Sequence, residues 1–143
     1  MKTYNFKTIS KTVLSDLHTP VSVYLKVRDI YPESALLESS DFHGNVNSHS
    51  YIALKPLASI GVNSNVCTTR FPDNTELKEN ISDEFTVSDA MNSFIGKLNV
   101  TGEDKNYCGL FGYTSFDAVR YFEHIPVPES HDAKNDAPDL LYI

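Results

Sequence analysis

The residues best placed to do chemistry are Leu36-Leu37-Glu38-Ser39-Ser40, where an apolar run ends in a carboxylate followed by two hydroxyls. A carboxylate and hydroxyls arriving together can hold an ammonium group through charge-assisted hydrogen bonds. The leucines beside them can line a pocket for a ring. The same residues also suit a strand that enters a polar turn. A second stretch, Gly109 to Glu123, sets glycines on either side of Leu110-Phe111 and continues into a segment with apolar spacing. It reads as a buried strand that another backbone or a ligand approaches closely, followed by an amphipathic helix.

Other chemistries find no foothold. The chain has no Walker loop, no dinucleotide fingerprint, no H-E-x-x-H and no G-x-S-x-G, so phosphate cradles, zinc proteolysis and serine-elbow catalysis lack their residues. Of the five histidines, His18, His43, His49, His124 and His131, no two stand at i, i+4. A helical metal pair is therefore missing, and all but His49 read as structural or solvated. No catalytic or metal-ligating residue is assigned. The net charge is −7 and there is no basic stretch, which disfavours phosphate backbones and anionic membrane surfaces. The polar opening, Met1 to Ser10, lacks an apolar signal region, and no run approaches the roughly 18 to 20 apolar residues of a membrane span. The expected location is cytoplasmic. Cys67 and Cys108 are then expected to be buried thiols.

The elements that must position these residues follow from spacing. The length, 143 residues, suits one domain or a large piece of one. Ile9, Val13, Leu14 and Leu17 have helical spacing and predict a short helix. Thr19-Pro20 starts another, with threonine as cap and proline in the first turn; it is expected to run to Tyr31-Pro32. Ala35–Ser40 and His49–Leu54 read as antiparallel strands joined by the polar loop Asp41–Ser48. Ala58–Thr69 alternates around Ile60, Val62 and Val66 and predicts a hairpin turning at Asn63-Ser64-Asn65. A further turn at Phe71–Asn74 precedes a strand over Thr75–Ile81. Phe85–Leu98 is the clearest helix, capped by Thr86 or Ser88, with Asp89 near its positive end. Val100–Lys105 reads as a polar connection, Tyr107–Tyr113 as a buried strand, and Phe116–Glu123 as a helix capped by Ser115. Ile125–Pro138 is expected to be a surface loop. Asp139–Ile143 reads as a strand that meets the end of the chain, as if cut. The fold class is α+β, a mostly antiparallel sheet with two or three packed helices.

Several of these stretches, taken in order, resemble the N-terminal region of anthranilate synthase component I. Thr19-Pro20-Val21-Ser22-Val23-Tyr24-Leu25-Lys26 is similar to that family's T-P-V-S-x-Y-L-K, and Leu36-Leu37-Glu38-Ser39 to its L-L-E-S. Ser50-Tyr51-Ile52-Ala53 with Pro56 resembles S-F-I-G-x-x-P. Gly109–Tyr113 with Asp117–Glu123 resembles G-L-x-G-Y-x-x-Y-D-x-V-R-x-F-E, and Pro138-Asp139-Leu140 fits the segment that follows. The resemblance implies that residues 1–143 are an N-terminal regulatory region that binds L-tryptophan as feedback inhibitor. In the full-length enzyme it would be joined to a C-terminal chorismate-binding part, which needs Mg2+ and forms anthranilate with ammonia supplied by a glutamine amidotransferase subunit. The fragment alone would be inactive. Carried over by position, Glu38 and Ser39 would meet the inhibitor's amino group, with Leu37 packing nearby and Ser40 adjacent. The family's basic residue before S-F-I-G is arginine or lysine; here it is His49. The corresponding region of aminodeoxychorismate synthase component I shares parts of the pattern, and a free-standing small-molecule binding domain is the alternative outside this superfamily.

Overall fold

The computed structural model describes residues 2–38, 49–123 and 137–143. They fall into two compact units: Ser10–Pro56, and the remainder, formed by Met1–Ile9 with Leu57–Ile143.

In the larger unit a five-stranded antiparallel sheet, ordered β6-β5-β4-β9-β8, is built from β4 (Ser59–Asn63), β5 (Val66–Arg70), β6 (Glu76–Asn80), β8 (Gly112–Thr114) and β9 (Leu140–Tyr142). The β4–β5 hairpin forms where the sequence predicts it. Ser64 and Asn65 both take left-handed φ, 49° and 64°, the conformation that lets a two-residue turn match the twist of its strands. Val62 therefore lies opposite Cys67, and Ile60 opposite Thr69. All four are buried, because directly opposed residues share a face. Val66, expected inside, is turned outward for the same reason. Helix α2 (Val87–Ile95) covers this sheet with Val87, Ala90 and Phe94. Phe94 packs on Phe71 with ring centroids 5.6 Å apart, and Phe71 stacks on Tyr4 at 5.2 Å. Tyr4 belongs to β1 (Tyr4–Thr8), which pairs in parallel with β7 (Leu98–Gly102).

The smaller unit holds helix α1 (Pro20–Val27) and the antiparallel strands β2 (Ser34–Glu38) and β3 (Ser50–Leu54). Thr19 accepts from the Ser22 amide at 3.1 Å, while the Thr19 amide donates to Ser22 Oγ at 3.0 Å. These two bonds satisfy amides that the first helical turn leaves free. The helix packs on both strands.

The α+β class with mainly antiparallel strands is found, with two α-helices among the described residues. Several local expectations are corrected. Ile9–Ser15 forms no helix, and its apolar residues are open to solvent, Leu14 at 91%; so short a segment with nothing packed on it does not repay nucleation. Helix α2 stops at Ile95 because Gly96 follows, and Leu98 opens β7 instead. The first half of the predicted polar connection at Val100–Lys105 belongs to that strand, made possible by β1 from the distant start of the chain. Tyr107–Tyr113 is a strand only from Gly112 on; Lys105–Tyr107 is a 3-10 turn, and Cys108 is exposed rather than buried. Phe116–Tyr121 is likewise a 3-10 turn, not an α-helix. The expected loop Asp41–Ser48, and 125–136 of the Ile125–Pro138 loop, lie outside the described residues.

Candidate functional site

β2 and β3 carry the first motif to the end of a hairpin. Their register sets Leu36 against Ile52, Leu37 against Tyr51 and Glu38 against Ser50. Alternation along a strand then groups Leu36, Glu38, Ser50 and Ile52 on one face, and Leu37 with Tyr51 on the other. His49 immediately precedes β3, beside Ser50. Glu38, His49 and Ser50 are exposed, and Leu36, Leu37 and Ile52 are half-buried. Ser39 and Ser40 lie outside the described residues.

The arrangement has a definite chemical capacity. Glu38 offers a carboxylate at the polar end of an apolar strand, and Ser50 across the ladder offers a hydroxyl. An ammonium group could donate to both oxygens, with a ring laid along leucine or isoleucine. An exposed ion pair in water contributes only about 0–1 kcal/mol, so tight recognition needs the ligand to be enclosed. The described hairpin supplies the polar contacts and an apolar strip for such a site. α1 steadies it from one side: Tyr24 Oη donates to the Ser34 carbonyl at 3.5 Å. Lys55, held at φ 52°, places its ammonium 5.0 Å from the centre of the Tyr31 ring, within cation–π range. Among the described residues no three His, Cys, Asp or Glu side chains gather as metal ligands would.

The second motif does different work. Arg120 Nη2 and Tyr121 Oη both donate to Asp139 Oδ2, each at 2.6 Å. The Asn65 amide donates to Tyr121 Oη at 3.2 Å, and the Ser64 amide to Asp139 Oδ2 at 3.3 Å. One carboxylate thus ties the β4–β5 turn, the 3-10 turn and the start of β9 together. Burial, and then the bond to Asp139, push the Tyr121 hydroxyl pKa up. The bond to Tyr121 is the first cause of the raised Arg120 pKa. These bonds run between residues of the cluster itself, so it acts as a clamp on the three segments. Reading the sequence by itself assigned it no role, although Arg120 and Asp139 both sit in the stretches that carry the family resemblance. The signal was a lone arginine and a lone aspartate 19 positions apart, which no periodicity connects.

The expected close approach at the glycines is present at one of them. A Cβ on Gly112 would lie 2.7 Å from Tyr142 Cα, whereas one on Gly109 would meet open space. The approaching group is therefore the β9 backbone. Ser115 makes no side-chain cap; its amide donates to the Asp139 carbonyl at 2.7 Å, and its buried Oγ has no protein partner. Cys67 is buried, and burial with Glu79 nearby pushes its thiol up to about 11, so it stays protonated and inert.

The chain is 30% identical over 140 residues to anthranilate synthase component 1 of Thermus thermophilus, with 93% of this chain covered. It spans 27% of the length of that curated relative. The similarity is to part of a member of the family that the motifs resemble. No family model matches the chain, and no solved structure matches it. No helix among the described residues is long and apolar enough to cross a membrane.

Proposed function

We propose that residues 1–143 are the L-tryptophan-binding, feedback-regulatory region of an anthranilate synthase component 1. The supporting observation is the pairing of Glu38 with Ser50 at the end of the β2–β3 hairpin, in a chain 30% identical to part of such an enzyme. In this reading Glu38 and Ser39 hold the inhibitor's ammonium group, Ser40 borders it, His49 stands where the family carries a basic residue, and Leu37 adjoins the site along the strand with its side chain on the face opposite Glu38. Tryptophan changes activity by binding one arrangement of the full-length protein better than another. The remainder of that protein binds chorismate and Mg2+ and works with a glutamine amidotransferase subunit; residues 1–143 contribute no catalytic group.

The test is the inhibition curve of anthranilate formation by the full-length protein against added L-tryptophan. Glu38→Ala should raise the inhibitory concentration roughly ten- to a hundred-fold, the loss of a hydrogen bond to a charged group, while uninhibited turnover is preserved. Ser39→Phe should act in the same direction by filling the site. Inhibition that both variants leave unchanged would place the sensor elsewhere. Chorismate turnover to a product other than anthranilate would assign the chain to the aminodeoxychorismate branch.

A further inference from the structure

Phe116–Tyr121 stands in an arrangement that its own sequence does not favour. The six residues form a 3-10 turn, and 3-10 runs beyond three or four residues are uncommon because their hydrogen bonds are poorly aligned. The segment Phe116-Asp117-Ala118-Val119-Arg120-Tyr121 holds no glycine or proline, and Ser115 before it has the extended backbone of a helix cap, φ −70° and ψ 164°. Yet Ser115 makes no side-chain cap, and its Oγ is buried without a hydrogen-bond partner among the described residues. A buried hydroxyl left unpaired is costly. At the other end, the Val119 carbonyl accepts two amides at 2.9 Å: that of Phe122, at the 3-10 spacing, and that of Glu123, at the α spacing.

The clamp accounts for the 3-10 form. Arg120 and Tyr121, at the end of the turn, both donate to Asp139, and the Asn65 amide donates to Tyr121. An α-helix advances about 100° and 1.5 Å per residue, against about 120° and 2.0 Å in a 3-10 helix. Over the five steps from Phe116 to Tyr121, an α form would turn Tyr121 by about 100° and draw it back by about 2.5 Å, which takes it off Asp139. In exchange, Ser115 Oγ would accept the Ala118 amide, as a cap does; that amide now lies 3.3 Å from the Ser115 carbonyl. Phe122, 54% exposed, would stand one turn from the buried Ala118 on the same face.

We propose that residues 116–121 are a two-state latch, 3-10 when closed on Asp139 and α-helical, capped by Ser115, when open. The closed form ties the β4–β5 turn to the start of β9 through Asp139 and Tyr121. The open form releases both. Each form satisfies groups that the other leaves without partners: the Asp139 carboxylate in the first, the Ser115 hydroxyl in the second. A few bonds therefore set the balance, and a change at either residue shifts the populations. This inference does not depend on the regulatory reading above.

The experiment is nuclear magnetic resonance of the 143-residue chain, with the carbon-13 Cα shifts of residues 116–121 read as helix content. In Asp139→Ala the closed form loses its charged acceptor. The α population should rise at least roughly ten-fold, the effect of losing bonds to a charged group. Ser115→Ala removes an acceptor that only the open form uses. Added to Asp139→Ala, it should lower the α population again by roughly five-fold, the effect of a lost cap. Tyr121→Phe drops the bond to Asp139 and keeps the ring; it should shift the segment the same way to a smaller extent, which keeps the test valid if the Asp139 variant unfolds. A segment that stays 3-10 in both Asp139→Ala and Tyr121→Phe overturns the proposal. So does a helical segment that Ser115→Ala leaves unchanged.

Discussion

Ser10–Pro56 and the larger unit are made with the same local devices and differ in what they bury. Each opens a helix with a threonine capping box, Thr19 with Ser22 in one and Thr86 with Asp89 in the other. α2 then buries Val87, Ala90 and Phe94, whereas α1 buries no residue fully. Every fully buried hydrophobic among the described residues lies in the larger unit. The candidate ligand residues lie in the smaller one, and the larger one holds a polar clamp and a buried apolar core. Binding segments are commonly drawn from the less stable parts of a protein, because a surface that has already satisfied itself has little to offer a ligand. The half-buried leucines of β2 are apolar area still open to a partner, whereas Leu140 of β9 is not.

The contrast can be broken most forcefully at Phe94. Phe94→Ala should destabilise the larger unit by about 3–5 kcal/mol through lost burial and a cavity, read by chemical denaturation. Leu25→Ala, exposed on α1, should change stability by less than about 0.5 kcal/mol. Equal effects would mean that α1 is buried as deeply as α2. Next comes the clamp. Asp139→Ala leaves Arg120 and Tyr121 without their shared acceptor and should cost about 1.5–3 kcal/mol, the range for bonds to a charged group. Amide exchange should rise first at Ser64, Asn65 and Ser115; exchange confined to other amides would show that the clamp does not hold those segments.

The smallest effect separates the two capping boxes. Thr86→Ala and Thr19→Ala should each cost about 1 kcal/mol of helix stability. Only the α2 box contains a titrating group, Asp89, whose pKa is lowered by its bonds to Thr86. A depressed carboxyl pKa contributes stability that is present above the unfolded value of 3.8 and is lost as pH falls through the folded one. On acidification, the first-turn amides of α2 should lose protection while those of α1 keep theirs. Parallel loss in both, followed by amide exchange, would remove the distinction.

Much of the fold was legible in the chain. The cap at Thr19, the hairpin turn at Ser64-Asn65, the strands around Glu38 and Ser50 and the α2 stripe all rest on short-range patterns. What failed, failed where distant partners decide. Leu98–Gly102 is polar enough to read as a connection and becomes a strand only because Tyr4–Thr8 lies beside it. Ile9–Leu17 has a helical stripe and stays irregular, since periodicity without a packed face does not hold a helix. Of the candidate site, the strand-end position of Glu38 and its neighbourhood with His49 and Ser50 followed from alternation and a hairpin. The pairing of Leu37 with Tyr51 and of Glu38 with Ser50 across the ladder came with the observed register.

By itself the sequence determined the α+β class, the caps, the turns and the polar end of β2, because each depends on residues a few positions apart whose steric and hydrogen-bonding preferences act locally. Only the tertiary structure decided that Asp139 is held by Arg120 and Tyr121, that Cys67 is sealed while Cys108 is exposed, and that β8 is an uncharged edge. Those outcomes depend on which segments far apart in the chain become neighbours, and burial and charge pairing are properties of neighbours in space.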